Sequence, residues 1–305
     1  MKRDGAVLAV VVIAAIVGIA TGDGYRLYVI AMVGLTAIVG IGLNVLIGLT
    51  GQISLGHVGF YAIGAYAVGI LTTTASWSFW TSLLAAGTIT GAAGVLLAVP
   101  ALRVRGPYLA MVTIAFGFVV EQGAAEWSGL TGGWNGLSGI SAPTLFGIEF
   151  SDRAIAYLVL ALTVLATLLF SQLSVSTWGR AMRAVRDSEI ASVSIGLNPI
   201  MIRNAAFGIS AAIAGVAGGV FASATNFISP DSFPFFQSIL FLLVVMVGGI
   251  DTVFRTTDWS GHRRVTAGGA IHARPVSPAV RWRAHARGTE NRANGIRRSV
   301  PSLLV

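Results

Sequence analysis

One charged stretch decides how this chain is interpreted: residues 178–198, which read W-G-R-A-M-R-A-V-R-D-S-E-I-A-S-V-S-I-G-L-N. Arg180, Arg183 and Arg186 recur every three residues, so they share one face of a helix. Apolar segments lie on both sides, and a charged helix between two membrane spans is excluded from hydrocarbon. The stretch, called the island below, therefore predicts a helix in water at the membrane surface, ending near Gly196.

Two interpretations of the island fit its residues. In the first, a soluble partner exerts force on the island, because a rigid helix outside the membrane can transmit force to the spans. In the second, it is a solvated loop whose arginines only fix the membrane topology.

The composition around the island is that of a polytopic membrane protein. Hydrophobic residues make up 55% of the 305 residues and charged residues only 10%, whereas soluble domains carry roughly a quarter charged residues. The absence of cysteine excludes a disulfide framework and a thiolate metal site. We therefore predict an all-α fold, a polytopic transmembrane helical bundle.

The net charge of +8 has a local origin. Residues 1–250 hold ten Lys and Arg against nine Asp and Glu, while residues 251–305 hold ten arginines against three acids. The basicity belongs to the C-terminal tail, so it does not indicate a nucleic-acid partner for the bundle.

Eight apolar segments predict the spans, since a membrane helix needs about 20 apolar residues. They are residues 6–20, 27–49, 58–74, 82–99, 107–122, 154–173, 204–225 and 235–249. Lys2 and Arg3 place the N-terminus in the cytoplasm, and alternation then puts the island on the same side. We expect a multi-pass protein in the lipid bilayer of a bacterial-type inner or plasma membrane.

A polar interruption follows the second span, at residues 44–57, which read N-V-L-I-G-L-T-G-Q-I-S-L-G-H. Asn44, Gln52, Ser54 and His57 stand among apolar residues and glycines there. Broken helix at membrane depth is tolerated where protein or a water-filled cavity covers it. The interruption therefore predicts a wall or gate of a solute pathway, with an ordinary cytoplasmic turn as the alternative.

A second glycine-rich stretch, residues 130–140, lies on the opposite side by this topology. Its polar residues Asn135 and Ser138 are candidates for capping the pathway or touching an extracytoplasmic partner. A flexible connection between spans fits the same composition.

No enzyme motif emerges from the sequence. His57 is the only histidine before the tail, and neither metal-ligand spacing nor a phosphate-binding loop occurs. We therefore expect no catalytic residue, no metal and no cofactor.

These stretches together resemble the permease subunits of ABC importers for branched-chain amino acids, the Liv family, over roughly residues 25–254. The likeness is closest to the LivM-like half of the permease pair. The matching pieces are G-L-N at 42–44, S-L-G-H at 54–57, G-P-Y-L-A at 106–110, A-F-G at 115–117, residues 130–140, W-G-R-A at 178–181, G-L-N at 196–198 and S-P-D-S-F at 229–233.

The resemblance implies that the loop 174–203 is the coupling helix that docks on a cytoplasmic ATPase. The residues on that motif are Arg180, Arg183, Arg186, Asp187, Glu189 and Gly196. It implies two cytoplasmic ATP-binding subunits, a second permease subunit and an extracytoplasmic substrate-binding protein. The chain departs from the pattern at Gly196, seven rather than six residues after Glu189, and at Phe118, where the family often has an acid.

Three other functions remain open on the sequence. Related permeases for urea or short-chain amides look alike, and a truncated permease would be non-functional. A secondary transporter or channel would need buried ionisable residues in mid-span, and residues 1–250 hold essentially none.

The resemblance ends near Phe254, which divides the chain into a permease domain, 1–254, and a tail, 255–305. The tail is rich in Arg, Ala, Gly and Ser, a composition typical of disorder. We expect a frameshift near Arg255. The alternative is a genuine basic tail that binds anionic lipid or nucleic acid.

Overall fold

Helices form nearly all of the structure, a computed structural model that describes residues 2–101, 104, 106–145 and 148–248. In chain order they are α1 (Lys2–Thr21), α2 (Gly24–Asn44), α3 (His57–Thr73), α4 (Phe79–Ala101), α5 (Pro107–Glu126), α6 (Ser128–Thr131), α7 (Asp152–Val175), α8 (Thr177–Asp187), α9 (Glu189–Ser194), α10 (Pro199–Thr225) and α11 (Phe235–Gly248). A π-helical turn, Val45–Thr50, continues α2, and 3-10 turns span Gly133–Asn135 and Pro230–Ser232. The strands are β1 (Leu137–Ser138), β2 (Thr144–Leu145), β3 (Ile148–Glu149) and β4 (Phe227–Ile228).

Six helical segments of the described residues are long and apolar enough to cross a membrane: Gly24–Thr50, Phe79–Ala101, Tyr108–Glu126, Asp152–Val175, Pro199–Thr225 and Pro230–Gly248. Two shorter apolar helices, Ala9–Thr21 and His57–Thr73, accompany them. Each predicted span falls on one of these segments, and the polytopic helical fold is confirmed. The count of eight spans and the cytoplasmic N-terminus stay predictions.

The centre of the bundle is α10, which packs against α4, α3 and α2. Small residues on α10 allow the close approach: Ala211, Ala214, Gly215 and Gly218 are all buried. Of the most apolar 18 residues of α10, 67% are buried inside the protein. For the segment Pro230–Gly248, which contains α11, the buried share is 22%. The apolar surface of the outer helices therefore faces the surroundings, as expected of a protein in lipid.

Short paired strands connect the loops at the end of the bundle opposite the island. β1 pairs with β4 in antiparallel register, with Leu137 opposite Ile228. β2 pairs with β3 in a small hairpin after α6. The glycine-rich loop is therefore fixed through β1 to the chain that follows α10. The sequence predicted a cap on the pathway or a contact with an extracytoplasmic partner, with a flexible connection as the alternative.

One part of the sequence prediction lies outside the described residues, namely the division at 254 with the tail 255–305.

Candidate functional site

The polar interruption at residues 44–57 is a helix break of defined geometry. The π-helical turn adds one residue per turn to α2 and ends at Gly51, whose φ of 70° is left-handed and favours glycine. Below the turn, the Thr50 hydroxyl donates to the Leu46 carbonyl at 2.8 Å and lies 3.2 Å from Gln52 Oε1. The predicted break is therefore present, and the Thr50 hydroxyl and Gln52 Oε1 are paired locally.

A chain of hydrogen bonds runs from this break into α10. Ser210 Oγ donates to the Gly42 carbonyl at 2.6 Å, so its only proton is used there. His57 Nε2, 2.7 Å from Ser210 Oγ, must then be the donor to it. His57 Nδ1 is left as an acceptor for Ser54 Oγ at 3.0 Å. The network joins α2, α3 and α10 through buried side chains.

Two further hydroxyls hold the backbone of the break. The Leu55 amide donates to Thr113 Oγ1 in α5 at 3.0 Å. The Val58 amide at the start of α3 donates to Ser238 Oγ in α11 at 3.1 Å. The break is therefore fixed by partners on α5, α10 and α11, beyond the contacts within residues 50–57.

The island differs from its predicted form, because it contains two helices instead of one. Ser188 lies between α8 and α9 in extended conformation, and its hydroxyl accepts from the Ala191 amide at 3.2 Å. Ser176 caps α8 in the same way, and Asn198 caps α10. A side-chain cap of this kind starts a new helix and changes its direction.

The island arginines bind the ends of two membrane helices. Arg180 Nη1 donates to the Val175 carbonyl at the end of α7 at 2.9 Å, and Arg183 Nη1 donates to Ser174 Oγ at 3.2 Å. Arg186 Nη1 donates to the Gly48 carbonyl in the π-helical turn. Helix C-termini carry unpaired carbonyls and partial negative charge, so a guanidinium there is favourable. The arginines thus join the island to the bundle.

The second island helix offers an apolar surface to solvent. Ile190, Val193 and Ile195 are 83%, 55% and 73% exposed. Glu189 forms an ion pair with Arg203 of α10 at 3.3 Å, which fixes α9 to the bundle. Of the other predicted coupling residues, Asp187 is exposed, and Gly196 ends the island with a left-handed φ of 84°.

The predicted pathway residues divide between the two ends of the bundle. Gln52, Ser54 and His57 are buried in the break, and half-buried Asn44 directly precedes it with a buried Oδ1 that has no hydrogen-bond partner among the described residues. Asn135 and Ser138 are exposed in the opposite loop, Asn135 in the 3-10 turn and Ser138 in β1. The structure brings the first group together and leaves the second apart.

Sequence reasoning missed three residues of the break: Thr113, Ser210 and Ser238. Each is a single hydroxyl within an apolar span, and each is buried. A polar residue on the buried face of a span was the available signal, but its partner lies up to 180 residues away in the sequence.

Among the described residues, no group of three or more His, Cys, Asp or Glu side chains is arranged to hold a metal ion. A bundle of apolar helices, a buried polar break and a charged island outside the spans together define a multi-pass membrane permease. The chain belongs to the family described as branched-chain amino acid transport system, permease component, whose model matches residues 25–269.

Three curated relatives support this membership. The high-affinity branched-chain amino acid transport system permease proteins LivM of Salmonella typhimurium and Escherichia coli are each 44% identical over an alignment of 241 residues, and the match covers 71% of this chain and 57% of each relative. The probable branched-chain amino acid transport permease protein LivM of Methanocaldococcus jannaschii is 25% identical over an alignment of 250 residues, and the match covers 71% of this chain and 72% of that relative. The chain thus spans little more than half the length of the first two relatives. No solved structure matches it.

Proposed function

We propose that the chain is the membrane-spanning permease subunit of an ATP-driven importer for branched-chain amino acids. The observation that carries the proposal is the family match together with 44% identity to two LivM permeases. ATP is hydrolysed by cytoplasmic partner subunits, and the chain itself is not an enzyme. A second permease subunit completes the bundle, and an extracytoplasmic binding protein delivers the amino acid.

The island is the surface on which the ATP-binding subunit docks. An exposed apolar patch outside the membrane marks an interaction site, and Ile190, Val193 and Ile195 form such a patch on and after α9. Arg180, Arg183 and Arg186 attach the island to α7 and to the π-helical turn. Asp187, Glu189 and Gly196 set its bend and its attachment to α10.

The helix break is the gate of the pathway. A movement of the island, driven by the ATP-binding subunit docked on it, opens and closes this gate. Arg186 contacts the Gly48 carbonyl, so a displacement of α8 is transmitted to the turn between Asn44 and Gln52. The same turn leads through Ser54 and His57 to Ser210 on the central helix. Packed interfaces of this kind switch between discrete arrangements, which suits alternation between outward- and inward-facing states. Asn135 and Ser138 cap the outer end of the pathway.

Purification of the tagged chain from the cells that make it tests the assembly. Two ATP-binding subunits and a second permease should be recovered with it, and leucine uptake should stop on ATP depletion. A chain that transports leucine alone, unaffected by ATP depletion, would contradict the proposal. Uptake of urea or short amides in place of leucine would move the chain to the related class of permeases.

The substitution Ile190→Asp tests the docking surface. A carboxylate buried without a partner in an interface is costly, so recovery of the ATP-binding subunits and leucine uptake should each fall at least tenfold. Ile148→Asp is the matched control, because Ile148 is similarly exposed at 73% but lies in the hairpin at the opposite end. Equal uptake by both variants would reject α9 as the docking surface.

A further inference from the structure

A cavity of about 660 Å³ lies beside the helix break, on the island side of the bundle. Residues 50–53 form one part of its wall, and Val104 and Leu109 form another. Arg186 of the island and Arg203 of α10 complete it. Its size falls within the roughly 300–1,000 Å³ of small-molecule sites.

The wall of this cavity has two chemical characters. Ile53, Val104 and Leu109 are aliphatic, whereas Arg186 and Arg203 are cationic. Among the described residues that line it there is no carboxylate; Glu189, which pairs with Arg203 at 3.3 Å, lies outside the wall. A guanidinium presents its N–H donors in a planar fork that matches a carboxylate. The cavity is therefore complementary to a small molecule with a carboxylate at one end and an aliphatic body.

We propose that this cavity is an exit-side binding site for a branched-chain aliphatic acid, with L-leucine as the representative ligand. Arg186 and Arg203 bind the carboxylate, and Ile53, Val104 and Leu109 contact the aliphatic body. The inference rests on the proposed function, since it takes the transported amino acid as the occupant.

Occupation of the site has a consequence for the gate. Arg186 donates to the Gly48 carbonyl of the π-helical turn while it lines the cavity. A carboxylate bound there competes for the same guanidinium. Amino acid accumulated on the island side therefore acts on the turn directly and slows further transport.

Protection of an introduced thiol tests the site, because the natural chain has no cysteine. Ile53→Cys is suitable, since the Ile53 side chain is 51% exposed and lies in the wall. The variant is assembled with its partners in inside-out membrane vesicles and labelled with a hydrophilic maleimide. Saturating L-leucine should slow labelling at least tenfold, and so should 4-methylpentanoate, which keeps the carboxylate and lacks the amine. Leucinol, which lacks the carboxylate, should leave the rate unchanged.

Three further variants locate the effect. Met201→Cys, at the start of α10 and outside the cavity, should label at the same rate with and without leucine, since Met201 is 61% exposed. Val104→Cys, elsewhere in the wall, repeats the measurement if Ile53→Cys does not assemble. Arg186→Gln in the Ile53→Cys background should remove the protection by both acids.

Equal labelling rates with all three probes, or protection by leucinol as strong as by leucine, would overturn the inference. Leucine uptake is measured on the same preparations in right-side-out vesicles. Normal uptake without protection rejects only the exit-side site, whereas absence of leucine uptake in the natural chain rejects the transport proposal itself.

Discussion

At the scale of single residues, the distinctive feature is a buried histidine with both ring nitrogens bonded. His57 lies between Ser54 and Ser210, and the network ends on the Gly42 carbonyl. Buried polar groups cost free energy unless they are paired, so each member stabilises the fold only while the others remain. The network therefore fixes the relative positions of α2, α3 and α10 at one point.

Ser210→Ala is expected to lower the free energy of unfolding by about 1–3 kcal/mol, because it leaves the His57 Nε2–H without an acceptor and removes the side-chain hydrogen bond to the Gly42 carbonyl, which still accepts from the Val45 amide. Thermal unfolding of the purified protein in detergent measures the change. Ser171→Ala is the control, since the Ser171 hydroxyl donates to the Leu168 carbonyl within its own helix. Similar midpoints for the two variants would mean that the network contributes nothing to stability.

The same residues show how much of the site could be predicted from the sequence. Gln52, Ser54 and His57 were identified because polar groups stood out in an apolar run. Ser210 could not be assigned to them, because it lies 153 residues beyond His57 and nothing local connects the two. The pairing depends on how α3 and α10 pack, which is a property of the tertiary structure.

At the scale of elements, α3 and α10 cross with their backbones in contact. A Cβ added at Gly64 would overlap the backbone of Gly215, and one added at Gly218 would overlap the Tyr61 carbonyl. Small residues at helix crossings allow such approach in membranes.

Gly64→Ala is expected to push α3 away from α10 and to destabilise the bundle by about 1–3 kcal/mol. Gly123→Ala is the matched control, because a Cβ there meets no atom within 4 Å and alanine favours the helix. Urea or thermal unfolding of the two variants in detergent gives the comparison. Equal stability of the two variants would mean that the crossing of α3 and α10 tolerates alanine at Gly64.

Element boundaries were predicted less well than elements. Each long apolar run became a helix, since apolar length alone dictates a span. The division of the island at Ser188 was missed, because a serine within a charged stretch is compatible with a continuous helix until its hydroxyl caps the next one. The fourth span was predicted to end at residue 99, yet α4 includes Pro100 and ends at Ala101.

At the scale of the whole molecule, the positions of charge relative to the spans decide the orientation. The island arginines bind the C-terminal ends of α2 and α7, so both helices end on the same side. The positive-inside rule predicts that this side is cytoplasmic, an orientation that a labelling measurement tests.

Labelling of single thiols in intact cells makes that measurement, and the chain offers a cysteine-free background. Ser138→Cys, at the loop end, should react with a membrane-impermeant maleimide, whereas Ser194→Cys, in the island, should react only after the membrane is opened. Both serines are exposed, so accessibility within the protein is matched. The reverse pattern would show the opposite membrane orientation, in which the island lies outside the cytoplasm and cannot contact a cytoplasmic ATPase.

The π-helical turn at Val45–Thr50 makes this segment sensitive to chain length rather than to residue identity. The turn accommodates one residue more than a regular α-helical turn would. Deleting any one of the six residues would let the α-helix run on and rotate all that follows by about 100°. The Gly48 carbonyl would then leave the reach of Arg186. We therefore expect insertions and deletions to abolish folding or transport, while exchanges of one aliphatic residue for another at Val45, Leu46, Ile47 and Leu49 are tolerated.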